Sequence, residues 1–235
     1  MNKGIYIALS GAVLKQRHMD IFAQNISNSN TTGFKKERIS FRDYLIPADT
    51  PSGVVEDGRS MTQLSEQVTD FSHGPSFRTE NPLDLAINGD GFFALENDRY
   101  TRNGSFRISP EGYLATHDNI NVLGDGGPIS LEGSEIEIST SGEVFADGIS
   151  VAHIKVVDFE DRSNLKKMDG RHFYSEKTGQ EVDANISQGY LESSNVEVVR
   201  EMVQMVTYLR EFESYQKMIH ALDEAASRTI NEMGR

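Results

Sequence analysis

The chain has 235 residues, 37% of them hydrophobic, no cysteine, and a formal charge of −13. Without cysteine there is no disulfide framework, no thiolate metal site and no cysteine nucleophile. The acidic balance excludes a general nucleic-acid binder, because phosphate contacts require clustered Lys and Arg. The length is sufficient for one moderate β domain plus long helices.

Small or apolar residues recur every three or four positions near the start of the chain, which is typical of one helix face. These residues are Ile5, Leu9, Ala12, Met19, Ala23 and Ile26. The spacing predicts a helix over residues 3–27 within an N-terminal segment 1–30. Charged residues such as Lys3, Lys15 and Asp20 interrupt every apolar run, so we expect neither membrane insertion nor a cleaved signal peptide.

Residues 31–80 show no clear period and are predicted to be an extended connecting region. A run of short polar residues, Ser27 to Thr32, followed by Gly33 predicts the end of the first helix, since such side chains compete for backbone hydrogen bonds. Short apolar pieces stand at 41–46 and 68–71, and Asp57-Gly58 supplies a turn dipeptide.

Residues 81–190 change to short β-branched and aromatic runs punctuated by glycine, which predicts an antiparallel β domain. The predicted strands are 85–87, 91–95, 105–108, 136–138, 143–145 and 151–157. Turn dipeptides lie between them at Asn103-Gly104, Glu111-Gly112, Asp147-Gly148 and Asp169-Gly170.

A second helical pattern occupies the C-terminal segment 191–235 and contains no Pro or internal Gly before Gly234. Its apolar members are Val199, Met202, Val206, Leu209, Phe212, Ile219, Leu222, Ala226, Ile230 and Met233. Ser194 and Glu197 fit a capping box, which predicts a helix beginning near Asn195. The predicted fold class is therefore α+β, with terminal amphipathic helices around a central antiparallel β domain.

Each terminal helix has an apolar stripe that needs a partner, because an isolated helix of this length is marginal in water. The partner is either the other terminus of the same chain or the termini of neighbouring copies, and periodicity alone does not choose. The predicted assembly interface comprises Ile5, Leu9, Ala12, Met19, Ala23 and Ile26 of the first helix with Val199, Met202, Val206, Leu209, Phe212, Ile219 and Leu222 of the second.

Three blocks of sequence resemble the rod and hook proteins of the bacterial flagellum. The first, which closes the N-terminal helix, carries Asn25, Asn28, Thr32, Gly33, Phe34 and Lys35. The second is similar to the central core motif of that family and carries Pro82, Asp84, Ala86, Gly89, Gly91, Phe92, Phe93, Thr101, Arg102, Gly104 and Phe106. The third opens the C-terminal helix with Leu191, Glu192, Ser194, Asn195 and Val196.

The resemblance implies a structural subunit of the basal-body rod, which assembles with copies of itself and with other rod proteins into a helical tube that transmits torque. It also implies both terminal helices in the inner layer of the tube, a periplasm-spanning location and export through the flagellar type III apparatus. The size and the opening residues are most similar to the proximal rod proteins, with the distal rod proteins as the alternative.

No catalytic, metal-binding or cofactor-binding residue is predicted. The six histidines lack the spacing of a helical zinc site, although a site assembled from distant segments stays open. Neither a calcium loop, a P-loop, a dinucleotide fingerprint nor a serine-hydrolase elbow occurs. Two other classes remain as alternatives: a soluble binding or export-regulating module with paired terminal helices, and an enzyme with clustered carboxylates.

Within the central core motif, Asp84 and Arg102 are expected to be polar partners.

Overall fold

The computed structural model describes residues 3–45, 60–133 and 135–233, with side chains at 4–39, 67–133 and 135–228. Over these residues the chain has an N-terminal helix α1 (Lys3–Ser27), a C-terminal helix α2 (Val198–Met233) and antiparallel strands between them. The α+β prediction is confirmed. The chain forms two compact units, a helical unit of α1, α2 and the hairpin strands defined below, and a body of Asn28–Lys36 with Phe71–Val196.

The helical unit contains a strand pair that the sequence analysis treated as part of a connection. Strand β1 (Glu37–Leu45) pairs antiparallel with β2 (Ser60–Thr69), with a register shift between Ser40 and Phe41. Both strands are rich in polar residues, so they lack the apolar alternation by which strands are recognised. Two predictions fall outside the described residues. They are the turn at Asp57-Gly58 and the last residue, Ile46, of the apolar piece 41–46.

The predicted bounds of α1 agree with the structure, whereas α2 begins at Val198 rather than near Asn195. The capping-box prediction is wrong, because Ser194 lies before the helix and its Oγ accepts a hydrogen bond from the amide of Val196, at 3.3 Å. The segment ahead of α2 is held by the body and does not enter the first helical turn. The side chains of Ile230 and Met233 lie outside the described residues.

The body is built from short antiparallel strands and a 3₁₀ helix, Arg162–Asn164. The strands are β3 Ser76–Arg78, β4 Leu85–Asn88, β5 Phe92–Leu95, β6 Arg99–Thr101, β7 Phe106–Ile108, β8 Leu114–Thr116, β9 Leu123–Gly124, β10 Gly127–Pro128, β11 Ile136–Ile138, β12 Glu143–Ala146, β13 Ile149–His153, β14 Val156–Asp158, β15 Lys166–Lys167, β16 His172–Tyr174, β17 Gln180–Glu181, β18 Asn185–Gln188 and β19 Tyr190–Glu192.

The largest sheet has the order β15-β16-β6-β5-β14-β17, and a smaller one has the order β11-β12-β13. The remaining strands pair as β18-β4, β19-β3, β7-β8 and β9-β10. The predicted single strand at 151–157 is wrong, since it divides into β13 and β14. The other five predicted strands are confirmed as β4, β5, β7, β11 and β12, with ends shifted by one residue at most.

Strand β5 lies between two apolar clusters of the body. Successive side chains of a strand point to opposite faces, so Phe93 enters one cluster and Phe92 the other. The ring of Phe93 lies 5.1 Å from that of Phe106, and the ring of Phe92 lies 5.6 Å from that of Phe173. The paired aromatics of the core motif therefore place a large side chain in each cluster.

Candidate functional site

The two terminal helices pack on each other within the helical unit, mainly through small and polar residues. Ala8 and Ala12 are buried on α1, and the ring of His18 stacks on that of Tyr208, with centroids 4.4 Å apart. Gly11 lies so close to α2 that an added Cβ would fall 2.7 Å from the Tyr215 ring. Small residues spaced three or four apart are the sequence signal for this contact.

Asn25, the first residue of the family motif, links α1 to both other parts of the helical unit. Its buried side chain exchanges two 3.0 Å hydrogen bonds with the backbone of Glu37, donating to the carbonyl oxygen and accepting from the amide. Its Nδ2 also donates to Oε2 of Glu201 on α2, at 3.3 Å. The Asn25 side chain thus satisfies the backbone hydrogen-bonding groups of Glu37, the first residue of β1, and holds this residue against both helices.

The helix pair leaves many large apolar side chains in contact with solvent. We call these residues the exposed apolar residues: Tyr6, Ile7, Leu9 and Val13 of α1 with Val199, Met202, Val203, Val206 and Leu209 of α2. Val199 is 77% exposed and Leu209 is 45% exposed. The five α2 members recur at helical spacing and lie along one stripe.

The structure places the predicted interface residues in three environments. Ala12 is buried against α2. Leu9, Ala23, Val199, Met202, Val206 and Leu209 are exposed. Ile5, Met19, Ile26, Phe212, Ile219 and Leu222 are half-buried. Tyr6, Ile7 and Val13 were not predicted, because they lie outside the helical phase of the predicted α1 residues. Val203 was not predicted either, although it lies within the α2 stripe.

Within the body, one residue from each family block meets in a buried ion cluster. Nζ of Lys35 lies 2.7 Å from Oε1 of Glu192, and Nε of Arg102 lies 2.8 Å from Oε2 of the same carboxylate. The three side chains are only 2–3% exposed. The amide of Gly74 donates a further hydrogen bond to Oε1, at 2.9 Å. Glu192 therefore joins segments that are far apart in sequence.

Arg102 also fixes the turn between β4 and β5. Its Nη1 donates to the carbonyl oxygens of Gly89 and Gly91, at 2.9 and 2.7 Å, and its Nη2 donates to that of Ile87, at 3.3 Å. The expected pairing of Arg102 with Asp84 is wrong. Asp84 instead accepts from Nδ2 of Asn81, at 3.1 Å, because it faces its own local turn.

The charged groups of the cluster shift each other's pKa. Burial by itself raises the pKa of Glu192, but the neighbouring Arg102 and Lys35 outweigh it and hold that pKa below its usual value. Burial lowers the pKa of Lys35, while Glu192 opposes this. A carboxylate with two cations and a backbone amide around it has most of its hydrogen-bonding capacity filled.

Two motif glycines are required by close approach to neighbouring backbone. A Cβ on Gly104 would lie 1.6 Å from the carbonyl oxygen of Leu85. Gly33 has a φ of +68°, and a Cβ there would lie 2.3 Å from the amide of Asn103. Thr32 donates to Oδ1 of Asn103, at 2.7 Å, so the first block and the core motif meet here.

The other motif residues also serve the body. Phe34, Ala86, Phe92, Phe93, Phe106 and Leu191 are buried. Hydrogen bonds hold Asn28 to Thr31, Pro82 to Gln188, Thr101 to Arg171, and Asn195 to Lys36. Nζ of Lys167 lies 3.7 Å from the centroid of the Phe34 ring. These residues make internal contacts, which separates the motif from the exposed apolar residues.

Three protein-family profiles match the chain in order. Residues 5–35 match "Flagella basal body rod protein", residues 86–146 match "Flagellar hook protein FlgE/F/G D1 domain", and residues 187–232 match "Flagellar basal body rod FlgEFG protein C-terminal". Lys35, Arg102 and Glu192 each fall within a different match. The buried ion cluster thus joins the three matched regions.

Similarity to curated proteins extends over the whole chain. The flagellar basal-body rod protein FlgF of Caulobacter vibrioides is 35% identical, with 100% of this chain and 99% of the relative covered. The chain belongs to the flagellar basal-body rod protein family. FlgG of Bacillus subtilis is 31% identical, with 98% and 99% covered, and FlgF of Salmonella typhimurium is 30% identical, with 97% of each covered.

As a rod protein, the chain is a structural subunit of the flagellar basal body. The rod protein family assembles with other rod and basal-body proteins. Across its described residues, neither helix of this rod protein holds an apolar stretch long enough to cross a bilayer.

Proposed function

We propose that this rod protein is a proximal rod subunit of the FlgF type, and that the exposed apolar residues of α1 and α2 are its contacts with neighbouring subunits. The observation that supports this is the α2 stripe from Val199 to Leu209, which the intramolecular helix pair leaves in solvent. Contiguous exposed apolar surface on a soluble protein marks an interaction site.

The free energy available from this surface is substantial. Complete burial of a Val, Leu or Met side chain from full exposure is worth about 1.5–3 kcal/mol. Val199, Val203 and Leu209 are 77%, 62% and 45% exposed, so each would gain a corresponding fraction in an assembly. Several such side chains on each helix would offset the entropic cost of association.

The contacts are proposed to be heterologous, so that one surface of a subunit meets a different surface of the next. Repetition of such a contact with a rotation and a rise generates a helical tube rather than a closed ring. Helices α1 and α2, within the predicted segments 1–30 and 191–235, would form the assembly segments, and Asn28–Lys36 with Phe71–Val196 would form the globular body. Strands β1 and β2 of the predicted 31–80 connection belong to the helical unit. A tube packed in this way would transmit torque across the periplasm.

The proposed partners are copies of this chain and other rod proteins, with the flagellar type III apparatus as the export route. We propose no enzymatic activity and no direct membrane insertion. Nucleic acid is not a proposed partner, since the chain carries −13 and has an isoelectric point near 4.9. The predominance of internal contacts among the family-motif residues supports a mechanical role.

The test is electron microscopy of basal bodies from cells that lack the chain and are complemented with variants. The parent should restore the rod, and Leu209→Asp should abolish assembly because it places a charge within the apolar stripe. Ser214→Asp is the matched control, since Ser214 is exposed on the same helix and lies beyond the stripe, five residues after Leu209. Circular dichroism of the purified variants checks that both fold.

Two outcomes would overturn the proposal in different ways. Normal rods with Leu209→Asp would show that the stripe is not the interface, although the rod role would stand. Intact rods and hooks in cells without the chain would remove the structural role. The helix pairing within one chain would then favour the binding or export-regulating module.

The distal rod is the second candidate, supported by the 31% identity to FlgG of Bacillus subtilis over 98% of this chain. Cells lacking their own FlgF or FlgG distinguish the two. A proximal subunit restores rods and motility only in the first strain, and a distal subunit only in the second.

A further inference from the structure

A cleft of about 890 Å³ opens on the body, away from any residue of the family motif. It is bordered by the β9–β10 turn, β13 and β17. Its lining includes four carboxylates, Asp125, Glu132, Glu143 and Glu181, and contains neither Lys nor Arg among the described residues. The cleft is therefore suited to a cation.

Three side chains converge in this cleft from separate segments. Asp125 lies in the β9–β10 turn, His153 ends β13, and Glu181 ends β17. One possible ligand atom from each lies within 4.8 Å of the other two. Ligands at about 2.0–2.2 Å from one tetrahedral zinc ion are about 3.4 Å apart, so small side-chain rotations would bring all three into contact with an ion.

The imidazole of His153 is oriented for metal binding. Its Nε2 lies 2.8 Å from the carbonyl oxygen of Ser141. A carbonyl oxygen only accepts, so Nε2 carries a proton, and Nδ1 is the ring nitrogen left to bind a metal ion. A backbone carbonyl on the second ring nitrogen is the usual support of a metal-bound histidine.

Nδ1 of His153 is the atom that points to a missing ligand. The atom itself is buried, within a side chain that is 38% exposed, and it has no hydrogen-bond partner among residues 3–45, 60–133 and 135–233. The facing Oδ2 of Asp125 lies 3.6 Å away, which is beyond the range of about 2.7–2.9 Å for a charge-assisted hydrogen bond. Buried polar atoms are normally paired, and a metal ion between these two atoms would satisfy both.

Backbone contacts hold the ligands in place before any ion binds. The amide of Asp125 donates to the carbonyl oxygen of His153, at 3.2 Å, and the amide of Lys155 donates to that of Leu123, at 3.0 Å. Glu181 is fixed by the pairing of β17 with β14 at Val157. Lys155 Nζ stands 3.8 Å from Oε2 of Glu181 and leaves the other carboxylate oxygen for a ligand.

We propose that Asp125, His153 and Glu181 bind one divalent transition-metal ion, with Zn²⁺ as the favoured metal. Two carboxylates neutralise the ion's charge, the imidazole supplies a nitrogen ligand, and water completes the tetrahedron. The ion would tie the β9–β10 turn to β13 and β17. Its role is structural, since it would clamp three short elements of the body.

The test is calorimetric titration of the full-length, chelator-treated protein with Zn²⁺ alone. The parent should bind one Zn²⁺ at this site, and Asp125→Asn, His153→Gln and Glu181→Gln should each weaken that binding by at least about tenfold. His117→Gln is the matched control, because His117 is an exposed histidine of the same body outside the cleft, and it should bind as the parent does. Parent-like binding by His153→Gln would overturn the proposal.

Nitrogen-15 NMR of the parent histidines keeps the test independent of variant folding. Zn²⁺ should shift the Nδ1 resonance of His153 alone. Shifts confined to other histidines, or none at all, would overturn the proposal.

Discussion

The body and the helical unit differ in how fully they bury large apolar side chains. In the body, Leu85, Phe93 and Leu114 are 0% exposed. In the helical unit, Ile7 and Val199 are 63% and 77% exposed. The body buries two apolar clusters within one chain and exposes scattered apolar residues such as Ile149, at 70%, whereas the helical unit exposes a stripe along α2. Internal packing therefore accounts for the core of the body, whereas burial of the α2 stripe would require contact with another molecule.

One ion cluster of the body and one ion pair of the helical unit differ in burial. The charges of the body's ion cluster are buried and paired, with Glu192 side chain 3% exposed. The helical unit instead has the surface pair of Lys15 and Glu211, 2.6 Å apart, with side chains 25% and 46% exposed. Exposed pairs are worth about 0–1 kcal/mol, so the ion pairs that matter for stability are expected in the body.

The largest expected effect is from removal of the central carboxylate of the body. Glu192→Gln keeps the side-chain shape but leaves Lys35 and Arg102 as buried cations without a counter-charge. The free energy of unfolding should fall by about 3–5 kcal/mol. Urea unfolding followed by near-ultraviolet circular dichroism measures the change.

Glu176→Gln is the control for that experiment. Glu176 lies 3.4 Å from Lys166, with the two side chains 74% and 72% exposed. Its loss should change the free energy of unfolding by no more than about 0.5 kcal/mol. Equal effects of the two variants would mean that burial of the cluster does not stabilise the body.

Acidification should reproduce part of the effect of Glu192→Gln. The folded-state pKa of Glu192 lies below its usual 4.5 because Arg102 and Lys35 outweigh the effect of burial. Its contribution is thus complete above the usual pKa and is lost as pH falls through the folded-state pKa. Urea midpoints between about pH 6 and about pH 3 should decline more steeply for the parent than for Glu192→Gln. Parallel declines would show that Glu192 does not titrate in this range.

A smaller effect of either sign is expected from two glycines of α1. A Cβ on Gly11 would lie 2.7 Å from the Tyr215 ring, so Gly11→Ala should destabilise the helix pair by about 1–3 kcal/mol. A Cβ on Gly4 would lie 3.5 Å from Cδ1 of Leu222, which is an ordinary contact. Gly4→Ala should therefore stabilise it by about 0.5–1 kcal/mol through helix propensity.

Thermal unfolding followed by far-ultraviolet circular dichroism compares the two alanine variants. Opposite shifts of the midpoint would confirm that α1 and α2 touch closely at Gly11 in the free chain. A stabilised Gly11→Ala would contradict the intramolecular pairing.

The helices and five of the seventeen described body strands were predicted from sequence, because apolar spacing and turn dipeptides are local signals. The spacing predicted α1 over 3–27, and the structure has Lys3–Ser27. Strands β1 and β2 were not predictable, since their polar residues give no alternation.

The buried cluster and the proposed metal site share a different obstacle. Lys35 and Glu192 are separated by 157 positions, and Arg102 and Glu192 by 90. Asp125, His153 and Glu181 likewise come from separate strands and turns. No local sequence pattern predicts that such distant residues will meet in the fold. A charged residue in each family block was only a partial signal for the cluster.

The separation of Lys35 from Glu192 has a consequence for the order of folding. Whether the chain emerges from its N-terminal or its C-terminal end, one member of this ion pair is absent until almost all of the body has been released. Contacts of such long range form late, because loop closure must precede them. A partly emerged chain would hold an uncompensated charge of this buried cluster, and this would disfavour the folded body until nearly all of it is present.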